Sequence, residues 1–297
     1  MSWLADPFAY AFFLRALIAC LVIGAMCGAI SVFVVLRRMS YIGHGLAHSV
    51  LGGVAVAVAL GYSTYLGATV ATLASALLID RISRRRGLHA DAAIGIVTTA
   101  LFAVGIVVVS RLENQRVNTE SLLFGDVLGV TSADIWLGLG VAVGFATIMF
   151  AFYKPLVFVA FDAEVARVHG VRAGVMEALF NLLTAAVVIV SVRVLGILLV
   201  AAAVVIPAAL ARLVTRSFGL MLAIATSVGL VSGVLGLYAS YYVNVPSGAT
   251  IVLVGTLLFG LVFAASALLA RTRVRGARER AAHPVAPPAP ETYPYRN

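Results

Sequence analysis

The chain has 297 residues, of which 62% are hydrophobic and only 11% charged, with a formal net charge of +9. A soluble domain carries roughly a quarter charged residues, so the composition excludes a water-soluble globular protein and points to one embedded in a membrane. The apolar runs are continuous instead of alternating, which argues against a β-barrel, and each has the length of a bilayer-spanning helix, about 20 residues.

Apolar segments fall at 10–36, 44–60, 63–80, 92–110, 133–153, 174–192, 194–211, 220–240 and 248–270. They predict an all-α polytopic transmembrane helical bundle of eight to nine spans, occupying residues 1–272. In the first span, Cys20 and Cys27 are separated by about 10.5 Å of helix rise, too far for a disulfide, and read as small apolar core residues. Gly24 and Gly28 form a GxxxG pair suited to close helix packing, as do Gly52-Gly53 and Gly229/Gly233. Arg15 is expected to snorkel towards water. The first apolar run is long and is followed by Arg37-Arg38, which marks a retained span and not a cleaved signal.

The stretch Arg37-Arg38-Met39-Ser40-Tyr41-Ile42-Gly43-His44-Gly45-Leu46-Ala47-His48 holds two of the five histidines. Imidazole is costly in hydrocarbon, so a pair on one helix suggests a path for a polar or ionic passenger. Four residues of helix turn through about 400°, which sets the rings about 40° apart and one turn up. His44 and His48 are thus placed to share one cation, and neutral imidazole suits Zn²⁺ and related transition metals. A pair supplies two of the four ligands of a closed zinc site, and two copies of the chain facing each other supply four. The competing reading is that the rings hydrogen-bond to backbone in the interior; two on one face favour the path.

Charge sets the predicted orientation. With the C-terminus cytoplasmic, the inside segments 37–43, 81–91, 154–173, 212–219 and 271–297 hold 17 of the 21 Lys and Arg. That asymmetry predicts N-terminus outside and C-terminus inside. It also explains the net charge without a nucleic-acid partner, since no basic surface interleaved with aromatics is present. The loop 111–132, with Glu113, Glu120 and Asp126, suits the external face.

Phe161-Asp162-Ala163-Glu164-Val165-Ala166-Arg167-Val168-His169-Gly170-Val171 reads as a short cytoplasmic helix. Its acids Asp162 and Glu164 lie at the start, Val165 and Val168 share a face, and Gly170 stops it. Such a helix either lies in the lipid interface or plugs into a partner protein. Asn181 and Ser191 add polar atoms to the next span and Arg193 caps its external end. Pro207 is expected to interrupt the span after that, removing a backbone donor and clashing with the carbonyl of residue 203. The interruption serves either to free a carbonyl for a cation or simply to kink the helix. Residues 273–297 turn basic and then proline-rich, which predicts a disordered cytoplasmic tail.

No GxxxxGK[ST] phosphate loop is present, nor any Ser/His/Asp, HExxH or CxxC constellation, so the chain is not expected to be an enzyme. An ion-gradient-driven metal carrier is the alternative, although the acids it needs as relays are scarce within the spans. A membrane enzyme or haem protein would need further histidines in the spans.

The stretches FLRALIACLVIGAMCGAISVFVVLRRMSYIGHGLAHSVLGGVA, LLFGDVLGV, FDAEVARVHGV and VRVLGILLVAAAVVIPAALARL, in that order, resemble the membrane permease of the bacterial zinc/manganese/iron(II) ABC transporters over residues 10–270. The resemblance implies a type II importer-like fold in the inner membrane and a homodimer bound to two cytoplasmic ATP-binding subunits. It further implies an extracytoplasmic metal-binding protein, a divalent ion as cargo (Zn²⁺ or Mn²⁺, possibly Fe²⁺ as well) and no permanent cofactor. Segment 161–171 then corresponds to the coupling helix. His48 matches the histidine of a D-x-x-x-H pattern, and His44 stands where the family often has Asp. Carboxylate favours harder ions such as Mn²⁺, and a second imidazole leans towards Zn²⁺.

Overall fold

The structure, a computed structural model, describes residues 6–84, 90–111, 123–127 and 129–282. After a 3₁₀ turn at Asp6–Ala9 the helices are α1 (Ala11–Leu36), α2 (Ile42–Ala59), α3 (Thr64–Ser83), α4 (Ala90–Val109), α5 (Ser132–Ala151), α6 (Tyr153–Phe161), α7 (Ala163–Val168), α8 (Ala173–Leu195), α9 (Val200–Ala203), α10 (Ile206–Val214), α11 (Phe218–Val243) and α12 (Ser247–Ala282). Among the described residues, eight helices are long and apolar enough to cross a membrane: α1 to α5, α8, α11 and α12. No strand occurs among them.

Local chemistry starts these helices where expected. Ser63 caps α3 by accepting from the Leu66 amide. Thr131 and Asp134 form a reciprocal capping box at α5, each side chain bonding the other residue's backbone amide. Two groups of helices pack around a central α8. On one side α1 lies along α11, and α11 along α12; on the other α2 packs on α3 and α4. The α1/α11 contact explains the GxxxG pair: a Cβ added at Gly24 would lie 2.5 Å from the Gly229 carbonyl oxygen, and one at Gly28 2.5 Å from that of Ala225. The motif therefore serves packing within one chain. Helices α5 and α12 form the periphery and expose Trp136, Phe150, Leu257 and Leu261. Cys20 and Cys27 are buried free thiols, the latter with its sulfur 3.4 Å from the Ser191 hydroxyl.

The segment 194–211 is interrupted, but not at Pro207 as expected. Helix α8 ends at Gly196, whose φ of +83° turns the chain out of the helix, and two short helices follow, α9 and α10, with a turn at Val204 and Val205 between them. Pro207 does not kink a continuous helix against the carbonyl of residue 203; it sits in the first turn of α10, where its missing N–H and fixed φ suit a helix start. The broken segment still traverses the bundle. Gly196 lies against Leu123 and Gly125 at the end where α12 begins, and a Cβ at Gly248 would be 2.6 Å from the Leu195 carbonyl oxygen. At the other end the Phe218 ring meets Phe33, Tyr153 and Phe161 at centroid distances of 5.3, 5.8 and 6.2 Å. Among the described residues, eight long helices and one broken one thus make nine passages through the bundle. The start of α1, where Phe13 packs on Tyr238 and Tyr241, shares the Gly248 end. The chain therefore enters the bundle at the Gly248 face and leaves it at the Phe218 face.

Helix α12 continues past Arg273 to Ala282, into the stretch expected to be disordered, and residues 283–297 of that tail lie outside the described residues. Most of the loop 111–132, including Glu113 and Glu120, also lies outside them. Its Asp126 amide donates to the Arg193 carbonyl, which ties the end of the loop to the Gly248 face.

Candidate metal path and inner polar network

His44 and His48 lie in the first half of α2, near the Phe218 face. Their Nε2 atoms are 3.0 Å apart and the rings meet edge to face at 4.3 Å between centroids. His44 is exposed and His48 half-buried, so the pair opens from the bundle wall towards its surface. A tetrahedral ion bound at 2.0–2.1 Å separates two ligand nitrogens by about 3.3 Å, so a small opening of the pair admits one. At that distance one Nε2–H donates to the other Nε2. Among the described residues no third His, Cys, Asp or Glu completes a metal-binding group with them.

The broken segment meets α2 next to this pair. A Cβ built at Gly43 would lie 3.5 Å from the Ala201 Cα and 3.6 Å from the Val204 Cβ, so α9 and the turn after it abut the residue before His44. Pro207 itself faces elsewhere: with Cys20, Gly24, Gly229 and Gly255 it lines an apolar crevice between α1, α10, α11 and α12 that neither histidine borders.

At the Phe218 face, α6 and α7 form a helical elbow. Asp162 caps α7, its Oδ1 accepting from the amides of Glu164 at 3.0 Å and Val165 at 2.9 Å. Gly170, at φ +82°, ends it in the left-handed region. Ala166 is the buried anchor, whereas Phe161, Val165 and Val168 are exposed, Val168 by 86%. Glu164 is exposed as well, as is His169, whose Nδ1 lies 2.9 Å from the Val165 carbonyl oxygen. The exposed apolar side chains alternate along the elbow with the charged Asp162, Glu164 and Arg167.

An ion network with no motif in the sequence joins the ends of α1, α3 and α8. The Arg84 guanidinium bonds Asp80 at 2.8 Å and also the Gly174 carbonyl, and lies 3.9 Å from Glu177. Glu177 is 4.0 Å from Arg37, whose guanidinium stacks over the Phe180 ring at 4.6 Å. Asn181 donates to Asp80 at 3.3 Å. Burial pulls the Arg37 guanidinium below its ordinary value while Glu177 and Asp80 pull it back up. The hydrogen bond to Asp80 holds Arg84 above its own. The i,i+4 spacing of Asp80 and Arg84 at a helix end was the legible signal. A smaller cluster sits at the opposite face, where Tyr65 donates to Asp134 at 2.7 Å and Arg193 lies 3.5 Å from the same carboxylate. Arg193 thus sits at the Gly248 end of α8, with Asp134 as its partner.

The chain matches the ABC 3 transport family over residues 9–266. The manganese transport system membrane protein MntC of Halalkalibacterium halodurans is 37% identical over 254 residues, covering 86% of this chain and 87% of that protein. The chelated iron transport system membrane protein YfeC of Yersinia pestis is 34% identical over 288 residues, covering 96% and 97%. Among solved structures, PsaBC from Streptococcus pneumoniae in complex with Fab superposes with a TM-score of 0.77 at 30% identity, over 88% of this chain and 95% of that one. The chain belongs to the ABC 3 transport family, as a multi-pass membrane permease.

Proposed function

We propose that this chain is the permease subunit of an ATP-driven importer of a divalent metal ion, Zn²⁺ or Mn²⁺, with Fe²⁺ a further candidate. The observation that carries the proposal is the pair of imidazole nitrogens 3.0 Å apart on α2, beside a broken transmembrane segment, in a chain whose relatives are named for manganese and iron transport. Two imidazoles form a weak site, which suits a path an ion must enter and leave. A second copy of the chain, facing the first across a central axis, brings a second pair. ATP hydrolysis belongs to two partner subunits that dock on the Phe218 face. The exposed strip Phe161, Val165 and Val168 on the α6–α7 elbow is the surface they grip. With that face cytoplasmic, the basic segments lie inside, the N-terminus lies outside and an external metal-binding protein delivers the ion to the Gly248 face.

The acids within the spans argue against an ion-gradient carrier. Asp80, Asp134 and Glu177 each lie within 4.0 Å of an arginine, and Asp91 sits exposed in the first turn of α4, whereas a proton or sodium relay needs a carboxylate inside the span that is free to change partners. In the decisive experiment His44 and His48 are both replaced by alanine. Metal-dependent uptake into proteoliposomes should vanish while the permease still co-purifies with its ATPase. Unchanged uptake in that variant would refute the site, and uptake without ATP would refute the importer.

A further inference from the structure

We infer that Phe102 on α4 is a positioning residue for His48, and that it holds the ring by packing where a metal ligand is ordinarily held by a hydrogen bond. The inference deepens the proposed ion path and rests on it.

The seam between α2 and α4 fixes the geometry. Gly45 and Gly52 flank His48 by about one turn on either side, and both press α2 against α4. A Cβ at Gly45 would lie 2.5 Å from the Thr98 hydroxyl and 2.7 Å from the Ile94 side chain. One at Gly52 would meet the Leu101 carbonyl, and one at Gly105 would come 2.9 Å from the Gly52 Cα. Close contact above and below His48, with α4 side chains at Gly45 and with α4 backbone at Gly52, opposes sliding of α4 along α2. Phe102, next to Leu101, is thereby set beside the imidazole, with the ring centroids 4.9 Å apart and the planes at 76°. That edge-to-face arrangement is a favoured aromatic geometry.

His48 needs such support because its other nitrogen has none. Its Nδ1 is buried and, among the described residues, has no hydrogen-bond partner. A histidine that binds metal through Nε2 carries its proton on Nδ1, and that proton ordinarily goes to a carboxylate, carbonyl or water that orients the ring and raises its basicity. Here the orienting contact is apolar. The ring is held in direction, but among the described residues no acceptor strengthens it as a ligand. A cargo site benefits from that combination: capture is directional, while release is not opposed by a reinforced bond. Phe102 acts through His48 and is not itself a ligand.

The test uses the intact permease–ATPase complex, with radiolabelled Zn²⁺ as the probe. Binding is measured by equilibrium dialysis and transport in proteoliposomes, for wild type, F102A, F102L and the His44→Ala/His48→Ala double variant. F102A should weaken Zn²⁺ binding and raise the KM for transport roughly tenfold, the low end for loss of a supporting contact to a metal ligand, with Vmax nearly kept. F102L, which restores apolar bulk beside the ring, should bring both values back to within about threefold of wild type, taking a volume-conserving swap as mild. Unchanged binding and KM in F102A, in a complex whose uptake the histidine double variant abolishes, would overturn the role of Phe102 alone. Uptake that survives the double variant would overturn the ion path itself. Recovery in F102L separates positioning from a general loss of fold.

Discussion

Asp80 and Arg84 close one turn of α3 with a 2.8 Å ion pair, and the same guanidinium reaches across to the Gly174 carbonyl at the start of α8. This joins the end of α3 to the helix that follows the α6–α7 elbow. Glu177 extends the joint to Arg37 at the end of α1. Replacing Asp80 with alanine leaves two arginines facing one glutamate and removes the acceptor for Asn181. Both Asp80 and Glu177 are largely shielded from water, so the loss should reach about 2 kcal/mol, in the range of hydrogen bonds to charged groups. In a thermal melt of the detergent-solubilised complex, D80A should unfold several degrees below wild type. A melt unchanged within a degree or so would show the network to be dispensable.

Much of this was legible in the sequence, and the reason is physical. Span lengths follow from bilayer thickness, and the arginine count follows from topology, so the helices of the bundle could be placed to within a few residues. The histidine pair was legible because helical periodicity puts i and i+4 on one face. Of the ion network, only the i,i+4 pair Asp80 and Arg84 was; Glu177 and Arg37 join it from two other helices far away in the chain. Phe102 was hidden for a similar reason: one phenylalanine among 15 has no local mark, and only the glycine seam at Gly45 and Gly52 sets it against His48. The interruption of 194–211 was legible only as Pro207, because the segment is otherwise uniformly apolar, whereas the structure breaks it at Gly196 and at Val204–Val205. What breaks it is the left-handed turn at Gly196 and the loop residues Leu123 to Gly125 packed against it.

The α1/α11 crossing gives a second stability test. A side chain at Gly28 has no room, since its Cβ would fall 2.7 Å from the Thr226 Cα as well as on the Ala225 carbonyl. Backbone cannot yield as a flexible side chain can. G28L should therefore lower the unfolding temperature and the yield of folded permease, at a cost on the order of 1–3 kcal/mol or more. Gly95 and Gly219 have open space at their Cβ positions, so G95A and G219A serve as controls that should fold normally.

The α7 surface can be separated from the fold. Val168 is 86% exposed and only Ala166 anchors the helix inward, so V168E should shift the permease's own stability by no more than about 0.5 kcal/mol. Co-purification with the ATPase should nevertheless fall sharply, because a charge is buried without a partner in the proposed interface. A V168E permease that retains its ATPase and normal ATP-driven uptake would place the docking surface elsewhere.

His44 is the residue that should set the choice of ion. In α2 it presents Nε2 to the same point as His48, and it is the more exposed of the two. Aspartate at that position puts a hard, charged oxygen next to one imidazole, and such a mixed set favours Mn²⁺ relative to the wild-type pair of nitrogens. H44D should therefore raise Mn²⁺ uptake relative to Zn²⁺ in competition. A tenfold change in the ratio corresponds to about 1.4 kcal/mol of relative affinity. H44A should lower uptake of both ions without changing their ratio as strongly, because it removes a ligand and supplies no oxygen. H48D should not mimic H44D, since its carboxylate would stand against the Phe102 ring and the α4 seam instead of near the surface. Equal ion ratios in wild type and H44D would show that selectivity is set by other groups along the path.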